Sequence, residues 1–176
     1  MRSALFSVFL GLVTTASCFN FPFENVTLID EDIGNFSAIS FGNTTAPFSS
    51  GTSCRAFPGG PDWPLDDEWS QLNRTLGGAL LKPIPLGTVC YPGPLQDTDK
   101  CRFLVRNGSM DRVFINDPLT VLTEWTEGST CPATFNATGN CTQGGYPEYV
   151  VNVTTVKQIQ IAVNFARNKN LRLVIK

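Results

Sequence analysis

Residues 145–176 constrain the fold most, because their pattern changes from strand to helix and back to strand. The stretch "PEYVVNV" is short and rich in β-branched residues, and "LRLVIK" is a second apolar run of strand character. Between them, Thr155 and Gln158 form a T-x-x-Q capping box. Apolar residues then recur at helical spacing and form a stripe along one helix face. The stripe consists of Val156, Ile159, Val163 and Ala166, and Ala162 and Phe165 widen it.

This order predicts a βαβ unit, right-handed and with parallel strands. Parallel strands are normally buried on both faces, so a lone pair is a poor stable unit. Ligands in such sheets bind beyond the carboxyl ends of the strands. A binding loop is therefore expected where the sequence ends, after Lys176. An independent helix between two loops is the alternative.

The first 18 residues have the pattern of a secretory signal peptide. Arg2 gives a positive start, and the apolar run from Ala4 to Val13 is too short to span a bilayer. Small residues near Ala16 offer a cleavage site. A buried N-terminal helix is the alternative, but we expect a secreted, extracellular protein.

Asparagines in the N-x-Ser/Thr glycosylation pattern are unusually frequent. The candidates are Asn25, Asn35, Asn43, Asn73, Asn107, Asn136 and Asn140. Asn152 also fits the pattern, but it lies at the end of a predicted strand and is the weakest of the set. These sites agree with secretion and predict a carbohydrate-coated surface.

In an oxidising compartment the cysteines predict disulfides. The candidates are Cys54, Cys90, Cys101, Cys131 and Cys141. Cys131 and Cys141 bracket a loop rich in Gly, Thr and Asn, so we expect that pair first. The other three supply at least one further bridge, whose pairing the sequence leaves open. Whether Cys18 remains in the mature chain depends on the cleavage point.

The sequence divides into four parts. Residues 1–18 are the signal peptide, and residues 19–53 read as an irregular glycosylated arm. Residues 54–144 read as a loop-rich, disulfide-stapled region with short helices, and residues 145–176 begin a further domain. One helix is expected to start at Asp66 with an inner face of Trp69, Leu72 and Leu76, and another in "DTDKCRFLVRNG" to turn Cys101 inward. The predicted class is α+β.

Several kinds of chemistry are excluded by the residues themselves. The sequence has no histidine, which rules out Ser-His-Asp, Cys-His and His-containing metal sites. It also has no C-x-x-C, G-x-G-x-x-G or P-loop pattern. Net charge is −2 with no basic run, so nucleic acid and anionic membranes are poor partners.

Two clusters have both a functional and a structural interpretation. Asp66, Asp67 and Glu68 could form an acid/base pair, but a solvated helix N-terminus explains them better. The three tryptophans could stack on a sugar, but packing of the turn at Trp63 onto the helix at Trp69 is favoured, with Trp125 elsewhere.

Two blocks carry a resemblance to a known family. They are "CRAFPGGPDWPLDDEWSQLNRTLGGALLKPIPLGTVCYPG" and "GGYPEYVVNVTTVKQIQIAVNFARNKNLRLVIK". From about Cys54 to Lys176 the chain resembles the N-terminal part of secreted fungal FAD-linked oxidases. These belong to the vanillyl-alcohol oxidase superfamily, with a PCMH-type FAD-binding domain, and are related to berberine-bridge and isoamyl alcohol oxidase-like enzymes. Asp62 and Ala56 stand where many relatives have cysteine, so their disulfide pattern does not transfer.

The resemblance implies an incomplete PCMH-type FAD-binding domain that begins with the βαβ unit. In the family, the second strand leads into a Gly- and His-containing loop that binds the FAD pyrophosphate. That places Ile175 and Lys176 beside the FAD phosphates. The loop, the substrate domain and the catalytic base all lie beyond these residues. The chain is therefore expected to be the front third of such an oxidase, with no catalytic residue of its own, and not to retain FAD alone.

For a full-length relative, the implied reaction is oxidation of an alcohol or sugar hydroxyl, with O₂ as the final acceptor. The implied partner is thus a small alcohol or carbohydrate, and the oligomeric state is open. The second hypothesis is a non-enzymatic, disulfide-stapled secreted glycoprotein that acts as a binding module. The absence of histidine favours it, and an exposed sheet edge at the end of the chain argues against it.

Overall fold

The computed structural model describes residues 21–42, 54–119 and 128–176. Its helices are α1 (Asp30–Ile33), α2 (Asp66–Thr75), α3 (Thr98–Asn107), α4 (Asp111–Ile115) and α5 (Val156–Asn168). The strands are β1 (Leu80–Leu81) and β2 (Val150–Val151), and 3₁₀ turns cover Pro22–Asn25, Ser37–Ile39 and Leu86–Cys90. The predicted signal peptide, Cys18, Asn43 and Trp125 lie outside the described residues. The described parts combine helices with one small two-stranded sheet.

Helix α2 begins at Asp66, as the sequence predicts. The Glu68 carboxylate accepts a hydrogen bond from the Leu65 backbone N–H (3.2 Å), which satisfies one of the free donors at the helix start. Trp69 and Leu72 are buried on its inner face. The chain leaves the helix through Gly77 and Gly78, whose φ angles of 67° and 87° favour glycine.

Helix α5 starts at the predicted capping box. The Thr155 hydroxyl accepts from the Gln158 N–H (3.2 Å), and the Gln158 side chain accepts from the Thr155 N–H (3.2 Å). Its predicted inner face needs a correction. Ile159 and Val163 of the predicted stripe are 46% and 38% exposed, whereas Phe165 and Ala166 of the same stripe are buried as predicted, together with Ile161. The helix is apolar on more than one side, so its period alone does not identify the side that packs.

The main core joins three distant parts of the sequence. It contains Leu28, Phe36, Ile39, Trp69, Leu72, Leu76, Ile161 and Phe165. The first three come from the arm, the next three from α2 and its end, and the last two from α5. Phe165 lies against Phe36 and Trp69, with ring centroids 5.9 and 5.1 Å apart. The arm is thus an integral part of the core.

The predicted parallel pair on either side of α5 is wrong. β2 pairs antiparallel with β1, with Leu80 opposite Val151 and Leu81 opposite Val150. The segment after α5 makes one isolated parallel bridge, between Leu171 and Ala56. Each segment needs partners for its backbone N–H and C=O groups, and residues 80–81 and 56 provide them.

A second, smaller core surrounds two disulfides. The bridges join Cys131 to Cys141, the pair favoured by the sequence, and Cys90 to Cys101. The buried residues of this cluster are Cys90, Tyr91, Cys101 and Cys131. Helix α3 carries Cys101 inward, as predicted, and the Asp97 carboxylate caps its first N–H groups. Cys54 is exposed and is not in a disulfide.

Candidate functional site

The residues expected to lie beside a cofactor stand at the end of the described chain. Ile175 is 80% exposed, and Leu173 and Val174 before it are also exposed. The Lys176 ammonium group donates to the backbone carbonyl of Asp117 (2.5 Å). The structure therefore places three consecutive apolar side chains at the surface.

Asn170 sets the direction in which this segment leaves α5. Its φ of 53° is left-handed, a conformation that asparagine tolerates better than most residues. Its backbone carbonyl accepts from the Ala56 N–H (3.1 Å), and its side-chain amide donates to the Cys54 carbonyl (3.0 Å). Its Oδ1 also accepts from the Arg55 guanidinium (2.7 Å). The backbone and side chain of Asn170 thus tie residues 54–56 to the start of the last segment.

The last turn of α5 is fixed by an ion pair. Lys169 bonds to the carboxylate of Glu68 on α2, and both side chains are half-buried. The hydrogen bond from Lys169 lowers the pKa of the Glu68 carboxyl, against the opposing effect of burial. The acidic group at the start of α2 thus includes a helix cap and an ion-pair partner, which agrees with the structural interpretation of that cluster.

A second ion pair holds the other end of α5 to the arm. The Lys157 ammonium group bonds to both oxygens of the Asp32 carboxylate, at 2.8 and 2.7 Å. This hydrogen bond is the main cause of a lowered pKa for Asp32. Helix α5 is therefore anchored to the arm near its first residue and to α2 beyond its last.

The sequence did not predict that a row of amides on α5 binds the arm. Gln160 accepts from the Leu28 N–H (2.9 Å) and donates to the Val26 carbonyl (2.7 Å). Asn164 donates to the Ile39 carbonyl (3.0 Å), and Asn168 continues the row with bonds to the carbonyls of residues 38 and 40. The sequence contains a pattern that could have indicated this row, because the three amides are spaced four residues apart and therefore lie on one helix face.

The tryptophans follow the structural interpretation. The rings of Trp63 and Trp69 lie 5.4 Å apart, so the turn packs onto α2 as expected. Trp69 is buried and also stacks on Tyr149 at 4.0 Å. A ring enclosed in this way offers no open face to a sugar.

The glycosylation candidates differ in how freely they project. Those that are exposed and described are Asn25, Asn35, Asn136, Asn140 and Asn152. Asn73 is half-buried and accepts from the Leu80 N–H (3.1 Å). The Asn107 amide donates to the Phe103 carbonyl (2.7 Å). The backbone N–H of Asn152 donates to the Ala79 carbonyl (2.9 Å), beside the small sheet.

The position of Ile175 and Lys176 beside FAD phosphates stays a prediction from the family resemblance. A pyrophosphate needs several convergent N–H donors, as at a helix N-terminus or in a glycine-rich loop. The two residues provide an exposed apolar side chain and an ammonium group that already bonds to a carbonyl. No step of a flavin reaction is therefore assigned to them.

Residues 21–42, 54–119 and 128–176 contain neither a candidate metal site nor a helix that could span a membrane. No group of three or more metal-ligating side chains occurs there. None of the helices in those ranges is both long and apolar enough to cross a bilayer.

Comparison with known proteins identifies relatives, although no family model matches the sequence. The chain is 37% identical over 126 residues to the bifunctional decalin synthase calF of Penicillium decumbens. It is 35% identical over 127 residues to the VAO-type flavoprotein oxidase VAO615 of Thermothelomyces thermophilus. Each match covers 70% of this chain and 22% of the relative. The chain thus spans about a fifth of the length of these relatives.

Solved structures give the same result. The VAO-type flavoprotein MtVAO615 from Myceliophthora thermophila C1 matches with a TM-score of 0.66 at 35% identity, over 70% of this chain and 23% of that one. MtVAO713 from the same organism matches with a TM-score of 0.61 at 32% identity, over 69% and 22%. The described fold is therefore one that occurs within flavoproteins of this type.

Proposed function

Over the matched part of its length, this chain belongs with the fungal FAD-linked oxidoreductases and VAO-type flavoproteins. We propose that it forms part of a secreted FAD-dependent oxidoreductase. The observation that carries the proposal is the structural match to two VAO-type flavoproteins at more than 30% identity. In such proteins the flavin supplies the redox chemistry, and the polypeptide supplies binding and orientation. The proposed substrate of the whole protein is a small alcohol or carbohydrate hydroxyl, with O₂ as acceptor.

The proposed contribution of these residues is structural. Helix α5 is held on one face by the arm and α2, while Ile159 and Val163 on its other side stay exposed. The apolar segment Leu173–Ile175 is exposed as well. Consecutive exposed apolar residues such as Leu173–Ile175 are typical of surfaces covered by another part of a protein. We therefore assign the chain a supporting role, in which it presents α5 and the last segment to the rest of a flavoprotein.

On this proposal, the 176 residues alone neither hold FAD nor oxidise an alcohol. Secretion is part of the same proposal, supported by the signal-peptide pattern in residues 1–18 and by the exposed sequon asparagines. Neither nucleic acid nor a membrane is proposed as a partner.

A chimera tests the proposal directly. The matched segment of VAO615 would be replaced by this chain, and bound flavin measured by absorbance and by release of FAD on denaturation. We expect a yellow chimera with flavin bound in the proportion found in VAO615, and a colourless protein from the 176 residues alone. A matched chimera carrying Phe165→Asp, which places a charge in the core, should be secreted poorly or lack flavin.

The opposite results have a clear meaning. A chimera that is secreted, folded and free of flavin would contradict the supporting role and favour a separate binding module. Stoichiometric FAD on the 176-residue chain would contradict the proposal that these residues depend on the rest of a flavoprotein.

A further inference from the structure

A polar cavity lies between the arm, α2 and the end of α5. It is an open surface pocket with a volume of about 430 Å³. Most of its lining side chains are polar, and those that bear on its chemistry are Asn35, Ser37, Glu68, Gln71, Asn168 and Lys169. They include an ion pair and several amide and hydroxyl groups. Such a lining suits a ligand with many hydroxyl and amide groups.

One lining residue is itself a glycosylation candidate. Asn35 is exposed and begins the sequon Asn35-Phe36-Ser37. Phe36, the middle residue, is buried and packs against Phe165. Its backbone N–H also donates to the Ile33 carbonyl (2.9 Å). The sequon is therefore held rigidly at the edge of the cavity.

The cavity also presents an unused polar group. Within the described parts of the chain, no hydrogen bond engages the side-chain amide of Gln71. The neighbouring Glu68 carboxylate and Lys169 ammonium group bond to one another and retain further capacity to accept and donate. An N-acetylglucosamine residue offers hydroxyls and an acetamide that complement these groups.

From these observations we propose that Asn35 carries an N-linked glycan whose first N-acetylglucosamine packs into this cavity. The inference rests on the secretory part of the proposed function. The donor is a lipid diphosphate-linked oligosaccharide of the secretory pathway, used by its transferase. The bond from sugar C1 to the diphosphate oxygen breaks, the bond from Asn35 Nδ2 to C1 forms, and the amide proton leaves with the lipid diphosphate.

Asn25 is a matched comparison within the same arm. It is exposed and begins a sequon, but it is absent from the lining of this cavity. Both glycans should be attached, yet only the glycan at Asn35 should be shielded. A difference between the two therefore isolates the effect of the cavity from the effect of glycosylation itself.

The test uses the full chain secreted from a fungal host, with occupancy read by glycopeptide mass spectrometry. We expect peptide N-glycosidase to release the Asn35 glycan from native protein at least about tenfold more slowly than the Asn25 glycan, because a seated sugar is accessible less than about a tenth of the time. The difference should disappear after denaturation. This comparison needs no variant and so does not depend on any variant folding.

Two substitutions on α2 sharpen the result. Gln71→Trp fills the cavity and should raise the release rate at Asn35 to that at Asn25. Ser70→Trp adds the same ring to an exposed neighbouring position and should leave both rates unchanged. Free N-acetylglucosamine added to an Asn35→Gln variant tests whether the cavity instead binds a sugar from solution. If millimolar free sugar protected the cavity from chemical labelling while the glycan attached to wild-type Asn35 was not shielded, the proposal would be contradicted.

The other outcomes separate this inference from the proposal of secretion. Equal release rates at both sites would show that the glycan does not pack. An empty Asn35 with an occupied Asn25 would remove the site and leave secretion intact. If no sequon carried a glycan in secreted material, the Asn35 proposal would fail and secretion would stand, whereas a chain retained inside the host without glycans would contradict secretion itself.

Discussion

Asn164 is a polar side chain in an otherwise apolar interface. It is 3% exposed, and its amide donates to the Ile39 carbonyl at 3.0 Å. Ile39 is itself fully buried, so its carbonyl has no access to water from that side. A buried acceptor without a donor costs more than an ordinary hydrogen bond contributes. The bond therefore links the position of the arm to the orientation of α5.

We expect Asn164→Ala to lower the free energy of unfolding by about 1–3 kcal/mol, since it leaves the Ile39 carbonyl unpaired. Asn168→Ala removes an exposed amide from the same row and should cost no more than about 0.5 kcal/mol. Urea unfolding followed by circular dichroism measures both. Equal costs for the two variants would mean that burial does not decide the strength of these bonds.

The Glu68 carboxylate makes stability depend on pH. Its pKa is lowered in the folded state from its usual value of 4.5, mainly by the hydrogen bond from Lys169. A lowered folded-state pKa stabilises the fold above the unfolded pKa, and this contribution is lost as pH falls through the folded value. The difference in unfolding free energy between wild type and Glu68→Gln should thus be full at neutral pH and shrink below 4.5.

Lys169→Met provides the control for this effect. If the ion pair is the cause, adding Glu68→Gln to the Lys169→Met background should change stability less than adding it to wild type. Additive costs for the two substitutions would contradict the assignment. Urea titrations at a series of pH values give both comparisons.

Helix α5 shows what a periodic pattern can and cannot specify. The capping box at Thr155 and Gln158 is local chemistry, so the sequence predicts the start of the helix correctly. The packed face depends on residues more than a hundred positions away, such as Leu28 and Ile39. Because several sides of the helix are apolar, the period does not select Ile161 over Ile159.

This corrected face gives a sharp prediction. The pair Ile159→Glu and Val163→Lys should change the free energy of unfolding by no more than about 0.5 kcal/mol, because both positions are exposed and the new charges can pair along the helix. Ile161→Ala should cost about 2–5 kcal/mol, as expected for a buried aliphatic side chain. If the charged pair were the more damaging change, the predicted stripe would be the packed one after all.

Strand pairing was the least predictable part of the fold. The β-branched residues of β2 predict a strand, but its partner Leu80–Leu81 is a two-residue stretch beside several prolines. Nothing local to such short strands fixes a register, and α2 together with the core brings them together. The position of Ile175 and Lys176 beside FAD phosphates stays a prediction, because a phosphate site made of converging backbone groups needs more residues than these two.

The described chain has two clusters stabilised by different forces. The larger one joins the arm, α2 and α5 through apolar contacts, while the smaller one consists largely of cysteines and Tyr91. Composition and compartment predicted the disulfides, and the Gly-rich loop between Cys131 and Cys141 indicated one pair. The participation of the arm in the main core was not predicted, because its irregular sequence hides three core residues.

This division predicts that loss of a disulfide destabilises the smaller cluster and leaves the main core folded. Replacing Cys90 and Cys101 by serine should cost about 2–3 kcal/mol in a region with little other buried apolar surface. Hydrogen exchange should then rise in α3 and in the turn at Leu86–Cys90. Helices α2 and α5 should keep their protection, because no buried residue of the main core comes from α3 or from that turn. Cys54→Ser, at an exposed thiol outside any disulfide, is the control and should leave exchange unchanged. Uniform loss of protection across α2, α3 and α5 would instead show that the two clusters unfold as one cooperative unit.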